Sequence, residues 1–412
     1  MNTCKHCGHP IMDEDAYCGN CGYATTITED EETIRPESPE KNQNNTEHVS
    51  QEHNSSVVDA VNKYVGNNSP GTITWRDLFI DIFKKHSLND IEDSFVCGTP
   101  STTPSHDVAV KTWKRPWLYA RVLFVFSITT LLLFFACSTF KNPRMIPALL
   151  VIGAATIPLS STILLFEINA FRNVSIIKAV FLFLVGGALS LAISLFMFSF
   201  TDNKIGTYSD AITISVIEEL GKAVIVYYFL QKYNIRQILP ALLIGGCIGA
   251  GFATVESAGY ALESVNTFYY NQGLIDTLNK FLQPDMVKLI AEKLSILSWE
   301  EMMDSILSNI ILRAWTDPGG HVAYAAITGV AIVESVKQRD YQISCFLDKD
   351  FLRLFIIPIF FHFIWDSPIS IDLKIHPYII CIALMLALWF FVIIFINMGF
   401  SQFKNLKNET MS

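Results

Sequence analysis

The chain has 412 residues, of which 51% are hydrophobic and only 17% charged, with a mean hydropathy of +0.35. Soluble proteins carry about 25% charge, so a lipid-embedded protein is expected and an ordinary water-soluble enzyme is excluded. The net charge of −9 lies mostly in one stretch between Glu29 and Glu52, where eight acids face only Arg35 and Lys41. No basic patch suggests nucleic acid as a partner.

The chain opens with Cys4-x2-Cys7 and Cys18-x2-Cys21, each pair followed by glycine, Gly8 and Gly22. Four thiolates from two such turns suit tetrahedral zinc, so residues 1–26 read as a zinc ribbon holding structural zinc. Thiolate ligands favour a reducing compartment; the N-terminus is expected in the cytosol, where the ribbon would meet a cytosolic partner. A basic and apolar leader is missing, and the first apolar segment is expected to act as the anchor. Residues 27–71, rich in Glu, Asn, Ser, Thr and Pro, read as a disordered acidic linker. Residues 72–116 form a juxtamembrane region in which Trp75, Leu78, Phe79, Ile82 and Phe83 follow a helical period, suiting an interfacial helix or a small packing element.

Eight apolar segments follow, at about 118–140, 145–168, 175–200, 209–231, 237–263, 319–335, 354–369 and 376–399. Each approaches the ~20 residues that cross ~30 Å of hydrocarbon. The fold class is therefore an all-α polytopic bundle of about eight transmembrane helices, spanning 117–400 and followed by a tail at 401–412. With the N-terminus inside, the inner loops hold Arg172, Lys232, Arg236, Lys337, Arg339, Lys349 and Arg353, as the positive-inside rule requires. Lys141 and Arg144 fall in an outer loop against that rule. The long outer insertion, 264–318, is amphipathic and is expected to lie on the membrane surface as helices.

Four segments carry ionisable residues where lipid should forbid them: Glu218, Glu219 and Lys222 in the fourth, Glu256 in the fifth, His321 in the sixth, and His362 with Asp366 in the seventh. Four acids and one lysine facing lipid would cost on the order of 15 kcal/mol, so these groups must meet each other or line a wet cavity, and they form a functional-site candidate. Counting 1.5 Å per residue, Glu218, Glu256, His321 and His362 fall roughly 3–12 Å from the outer boundary, in one layer. Glu218 with Lys222 and His362 with Asp366 are i, i+4 pairs that share a face, while Glu219 is turned about 100° away. Small residues at Gly245, Gly246, Gly249 and Ala253, and at Ala325, Ala326 and Gly329, permit close helix approach.

Peptide hydrolysis needs a base for water, donors for the oxyanion and an acid for the leaving amine. A carboxylate in a dry site can be the base, histidines from two other helices can donate, and Asp366 can orient His362. The sequence contains no HExxH, no GxSG and no GxGD motif, so zincin, rhomboid and presenilin chemistries are not supported. The same groups also suit a transporter that relays protons or binds a cation, and a catalytically silent scaffold is a third class.

EELGK (Glu218 to Lys222), FATVE (Phe252 to Glu256), the histidine of HVAYAAITG (His321) and HFIWD (His362 to Asp366) together resemble the PrsW family of intramembrane proteases, related to the CAAX-protease superfamily. FEINAFRN, with Glu167, Asn169 and Arg172, also resembles a family segment. The resemblance covers roughly 117–397. It implies a bacterial plasma-membrane protease acting on a membrane-embedded protein, for example an anti-sigma factor or similar regulator. It also implies Glu218 as the water-activating base, Glu219 assisting, and Glu256, His321 and His362 completing the site. The family is described both as metalloprotease and as glutamate protease; three carboxylates and two histidines suit a catalytic zinc, whereas Lys222 favours a metal-free site. Elemental analysis of the purified full chain is expected to find zinc that is lost when Cys4 and Cys18 are both replaced by serine; an unchanged metal content would reject the ribbon.

Overall fold

The computed structural model describes residues 2–3, 10–11, 55–66, 74–201, 206–293, 298–315, 320–337, 339–373 and 376–409. The chain divides into two units, Met1–Ser55 and Ser56–Ser412. In the first, Asn2–Thr3 pairs antiparallel with Pro10–Ile11. Cys4, Cys7, Cys18 and Cys21 lie outside the described residues, as does most of the acidic linker.

The second unit is helical among its described residues. Helix α1 (Ser55–Val65) falls inside the stretch read as linker, but Val65 is fully buried and the Tyr64 hydroxyl donates to the Arg353 carbonyl at 2.8 Å. The juxtamembrane region forms three short helices, α2 (Trp75–Phe79), α3 (Leu88–Phe95) and α4 (His106–Thr112). Thr74 with Asp77 and Ser87 with Asp90 build two capping boxes, and each box satisfies the free N–H groups of a new helix start. The region docks on the bundle through Tyr119, whose hydroxyl donates to the Leu78 carbonyl at 2.9 Å.

Helices α5 (Leu118–Phe140) and α6 (Ile146–Ile168) form a hairpin. Glu167 near the end of α6 accepts the backbone N–H groups of Trp117, Leu118 and Tyr119 at 2.9–3.0 Å. A carboxylate from one helix thus caps the exposed donors of another, which its positive N-terminal end favours. Glu167 and Arg172 are thereby structural; Arg172 donates to the carbonyls of Asp93 and Ser94.

Next come α7 (Ile176–Phe181), a π-helical turn at Leu182–Gly186, and α8 (Gly187–Phe198), which run on as one rod. Helix α9 (Tyr208–Lys232) carries the EELGK motif. Helix α10 (Ile238–Leu278) is 41 residues long, about 60 Å, or twice the hydrocarbon thickness. The first part of the expected insertion is therefore a direct extension of this helix. The insertion continues as α11 (Pro284–Lys293), α12 (Trp299–Asn309) and a π-helical turn at Ile310–Trp315. The chain closes with α13 (Gly320–Val336), α14 (Lys349–Asp366), α15 (Ile369–Asp372) and α16 (Pro377–Glu409). The last of these absorbs most of the expected 401–412 tail.

Among the described residues, five stretches are fit by length and composition to cross a membrane: Leu118–Phe140, Pro143–Ile168, Ile176–Phe198, Ile238–Leu278 and Ile379–Asn405. Of the other expected spans, α9 is long enough but carries charges mid-helix, α13 has only 17 residues, and α14 begins with charged residues. Helix α13 is the centre of the bundle, packed by α9, α10, α14 and α16 and buried along nearly its whole length. Its neighbours, not lipid, set the length it needs.

Backbone-to-backbone packing joins α10 to α13. A Cβ at Gly245 would stand 2.1 Å from the Ala325 carbonyl oxygen, and one at Gly249 would stand 2.1 Å from that of His321. Only glycine tolerates this approach, and the expected small-residue stripe is confirmed as a contact between backbones. The insertion departs from expectation. Met302, Met303, Ile306 and Ile310 are buried against Cys137, Ile146, Leu149, Leu150, Ala261, Val265 and Phe268, so the apolar face of α12 packs on protein rather than on a membrane surface, while Tyr270, Phe281, Met286 and Leu289 earlier in the insertion stay exposed. Replacing Gly249 by valine is expected to push α13 off α10 and cost about 1–3 kcal/mol or more, read as a lowered melting temperature in detergent; an unchanged melting curve would contradict this packing.

Candidate active site

Helices α9, α10, α13 and α14 bring the seven expected side chains to one place. Glu218, Glu219, Lys222, His321 and His362 are all buried, Glu219 and Lys222 completely. The Lys222 ammonium lies 2.7 Å from Glu219 Oε1, 2.8 Å from His321 Nδ1 and 3.5 Å from Glu218 Oε2. It also stands 4.2 Å over the Phe252 ring. An ammonium donates and never accepts, so His321 Nδ1 is the acceptor and His321 carries its proton on Nε2.

That Nε2 stands 2.9 Å from Glu256 Oε2. The contact is short but lacks hydrogen-bond alignment, since Glu256 Oε2 has no partner by direction. His362 Nδ1 is 2.8 Å from Glu219 Oε1, and its Nε2 faces Asp366 Oδ2 at 3.1 Å and Glu218 Oε2 at 3.7 Å. The Tyr324 ring stacks on His362 at 5.3 Å between centroids, which fixes the plane of the imidazole.

Glu219 is therefore at the centre of the cluster, not turned away from it. The angular argument placed Cα directions correctly, but Glu219 and Lys222 are i, i+3 neighbours with long side chains, and α14 supplies a partner on that flank. Glu218 has a different character. Its Oε2, like the Oε2 of Glu219 and Glu256, is buried without a hydrogen bond among the described residues, but it alone of the three stands off its neighbours, with Lys222 at 3.5 Å, His362 at 3.7 Å and His321 at 4.0 Å. These separations are too long for direct hydrogen bonds and leave room for a shared water.

One charged residue escaped the sequence reading. Arg313, in the π-helical turn of the insertion, pairs with Glu256 Oε1 at 2.8 Å and lies 4.0 Å over Tyr260. Its signal was present as a lone base in the apolar run IILRAW, eight positions before His321. Because 264–318 was read as a surface element, nothing in the local pattern pointed that base inward.

Glu218, His321 and His362 each offer a ligand atom within 4.8 Å of the others. Zinc bonds of ~2.0–2.1 Å set tetrahedral donors roughly 3.3 Å apart, shorter than the 3.7 Å and 4.0 Å from Glu218 to the two imidazoles, so the three would have to draw in around an ion. The donor types fit, and the bare Glu218 oxygen is a vacant lone pair. Four carboxylates also face only two permanent cations in this cluster, Lys222 and Arg313. Against this, Lys222 occupies the His321 Nδ1 lone pair that a metal would use. The residues fit a divalent cation in kind, provided that they draw in and that ammonium withdraws.

A buried cluster of acids, imidazoles and one ammonium inside an apolar helical bundle defines a polytopic membrane protein with a functional site among its helices. The chain belongs to the PrsW family: residues 174–398, more than half of its length, match the model described as PrsW family intramembrane metalloprotease. The match takes in all seven site residues and Arg313, and begins after FEINAFRN. No curated protein and no solved structure matches the chain. Membership of this family makes the chain an intramembrane protease, with lipid and membrane proteins as its surroundings. Replacing Lys222 by methionine leaves Glu219 buried without its cation, and about 3–5 kcal/mol of stability is expected to go, measured as loss of the monodisperse peak on heating; a variant as stable as the parent would contradict the charge network.

Proposed function

We propose that this chain hydrolyses a peptide bond of a membrane-anchored protein, using a water activated by Glu218. The observation that carries the proposal is the unpartnered, buried Glu218 oxygen set between two imidazoles. Glu218 takes a proton from the water as its oxygen attacks the carbonyl carbon. His362, held by Glu219 on one nitrogen and facing Asp366 with the other, is aligned to serve the oxyanion or the leaving amine. Lys222 balances the growing negative charge without moving, because Glu219 and His321 already hold it.

The convergence of Glu218, His321 and His362 supports a second reading, in which these three hold zinc. The metal would lower the proton affinity of its bound water and polarise the carbonyl, with Glu219 and Glu256 supporting the histidines from behind. Lys222 on His321 favours the metal-free form.

In the membrane we place α9, α13 and α14 beside the five apolar spans, eight crossings in all, with the N-terminus in the cytosol of a bacterial cell. Loop contacts support the sidedness: Arg236 donates to the carbonyls of Lys337 and Arg339, which gathers basic loops at one end as the positive-inside rule requires. The site then lies toward the outer face. By family resemblance the substrate is a single-span regulator such as an anti-sigma factor, and the ribbon with its zinc recruits a cytosolic partner.

Glu218→Gln keeps the shape and removes the base. Cleavage of a tagged single-span protein by the purified enzyme is expected to fall about 10²–10⁴-fold, with the melting curve retained. Unchanged cleavage would reject the mechanism, and loss of ion flux without any cleavage would favour the transporter reading. Treatment with a strong chelator is expected to leave activity in place; loss that added zinc restores would establish the metal form.

A further inference from the structure

The seven side chains expected from the sequence do not account for every charge in the site. Glu256 sits on α10 facing both Glu218 and His321, and what holds its carboxylate comes from the insertion. Arg313 reaches it at 2.8 Å and rests flat over Tyr260 at 4.0 Å. Tyr260 is one helical turn beyond Glu256, so carboxylate and ring share a face of α10 and form a two-part receptor for a guanidinium. A planar guanidinium can stack and pair at once, which an ammonium cannot do.

The insertion is anchored by the three preceding turns. Ile310, three residues before Arg313, is fully buried, and a Cβ at Gly153 of α6 would stand 2.7 Å from its Cδ1. Gly153 is therefore the notch that admits Ile310. Met302, Met303 and Ile306 fill the adjoining surface, and Ser264 of α10 meets Ser305 of α12 at 2.8 Å.

We propose that Arg313 is a positioning residue of the site: seated by Ile310 in the Gly153 notch, it clamps Glu256 so that its second oxygen meets His321, whose other nitrogen takes Lys222. The insertion is thus a working part of the catalytic arrangement, linked to it through Arg313, Glu256, His321 and Lys222 in series. This inference rests on the hydrolytic reading above.

The test uses the full chain in lipid nanodiscs with a tagged single-span substrate. Arg313→Gln is expected to lower kcat about 30-fold with KM within about twofold of the parent, because the clamp acts on the catalytic groups rather than on substrate binding. Arg313→Lys, which keeps the charge but loses the stack, is expected to recover to within about fivefold of the parent. Gly153→Leu, far from every reacting group, should reproduce the kcat loss by displacing Ile310, and it carries the test if Arg313→Gln fails to fold. A kcat within twofold of the parent for Arg313→Gln would overturn the proposal, as would a loss confined to KM or a lysine variant no better than glutamine. Cleavage that survives Glu218→Gln would instead defeat the hydrolytic reading, a result distinct from all of these.

Discussion

The interaction on which this structure depends is the enclosure of one ammonium group. Lys222 is completely buried in an apolar bundle, where an unpaired charge costs several kcal/mol. It is tolerable only because Glu219, Glu218 and His321 converge on it from two helices, with the Phe252 face behind. Those partners bring their own needs: His321 reaches Glu256, Glu219 reaches His362, and His362 faces Asp366. One buried cation thereby ties α9, α10, α13 and α14 into a single arrangement, and any helix that moved would leave a charge stranded.

Helix packing makes that convergence geometrically possible. Side chains of ordinary size between α10 and α13 would hold the two backbones apart, and Glu256 would fall short of His321. Glycines at 245 and 249 remove that spacer, so the backbone of His321 lies directly against α10. The same logic acts at the other end of the molecule, where Glu167 caps the start of α5 and sets the height of the α5–α6 hairpin. Close contact and charge pairing are thus complementary devices, and neither would hold a site inside lipid without the other.

Glu218 differs from its neighbours in the length of its contacts. Glu219 is committed to Lys222 and His362, and Glu256 to Arg313 and His321. Glu218 Oε2 makes looser contacts, with Lys222 at 3.5 Å, His362 at 3.7 Å and His321 at 4.0 Å. In the hydrolytic reading proposed above, that looser oxygen between two imidazoles is the one that meets the water. The network around it supplies orientation and charge balance instead of competing for that oxygen.

Much of this was readable from the amino-acid order. Apolar runs near 20 residues mark helices because lipid admits no unsatisfied backbone, and Glu218, Glu219, Lys222, Glu256, His321, His362 and Asp366 stand out because charges are costly there. Residue type and spacing along one helix are local properties, so composition and period determine them. The tertiary structure alone decided that Glu219 sits at the centre, that Glu218 makes only looser contacts, that α12 packs on the bundle, and that Arg313 joins the site. Each of these depends on which helix faces which and on where an insertion folds back, a choice made by long-range packing that no local period encodes.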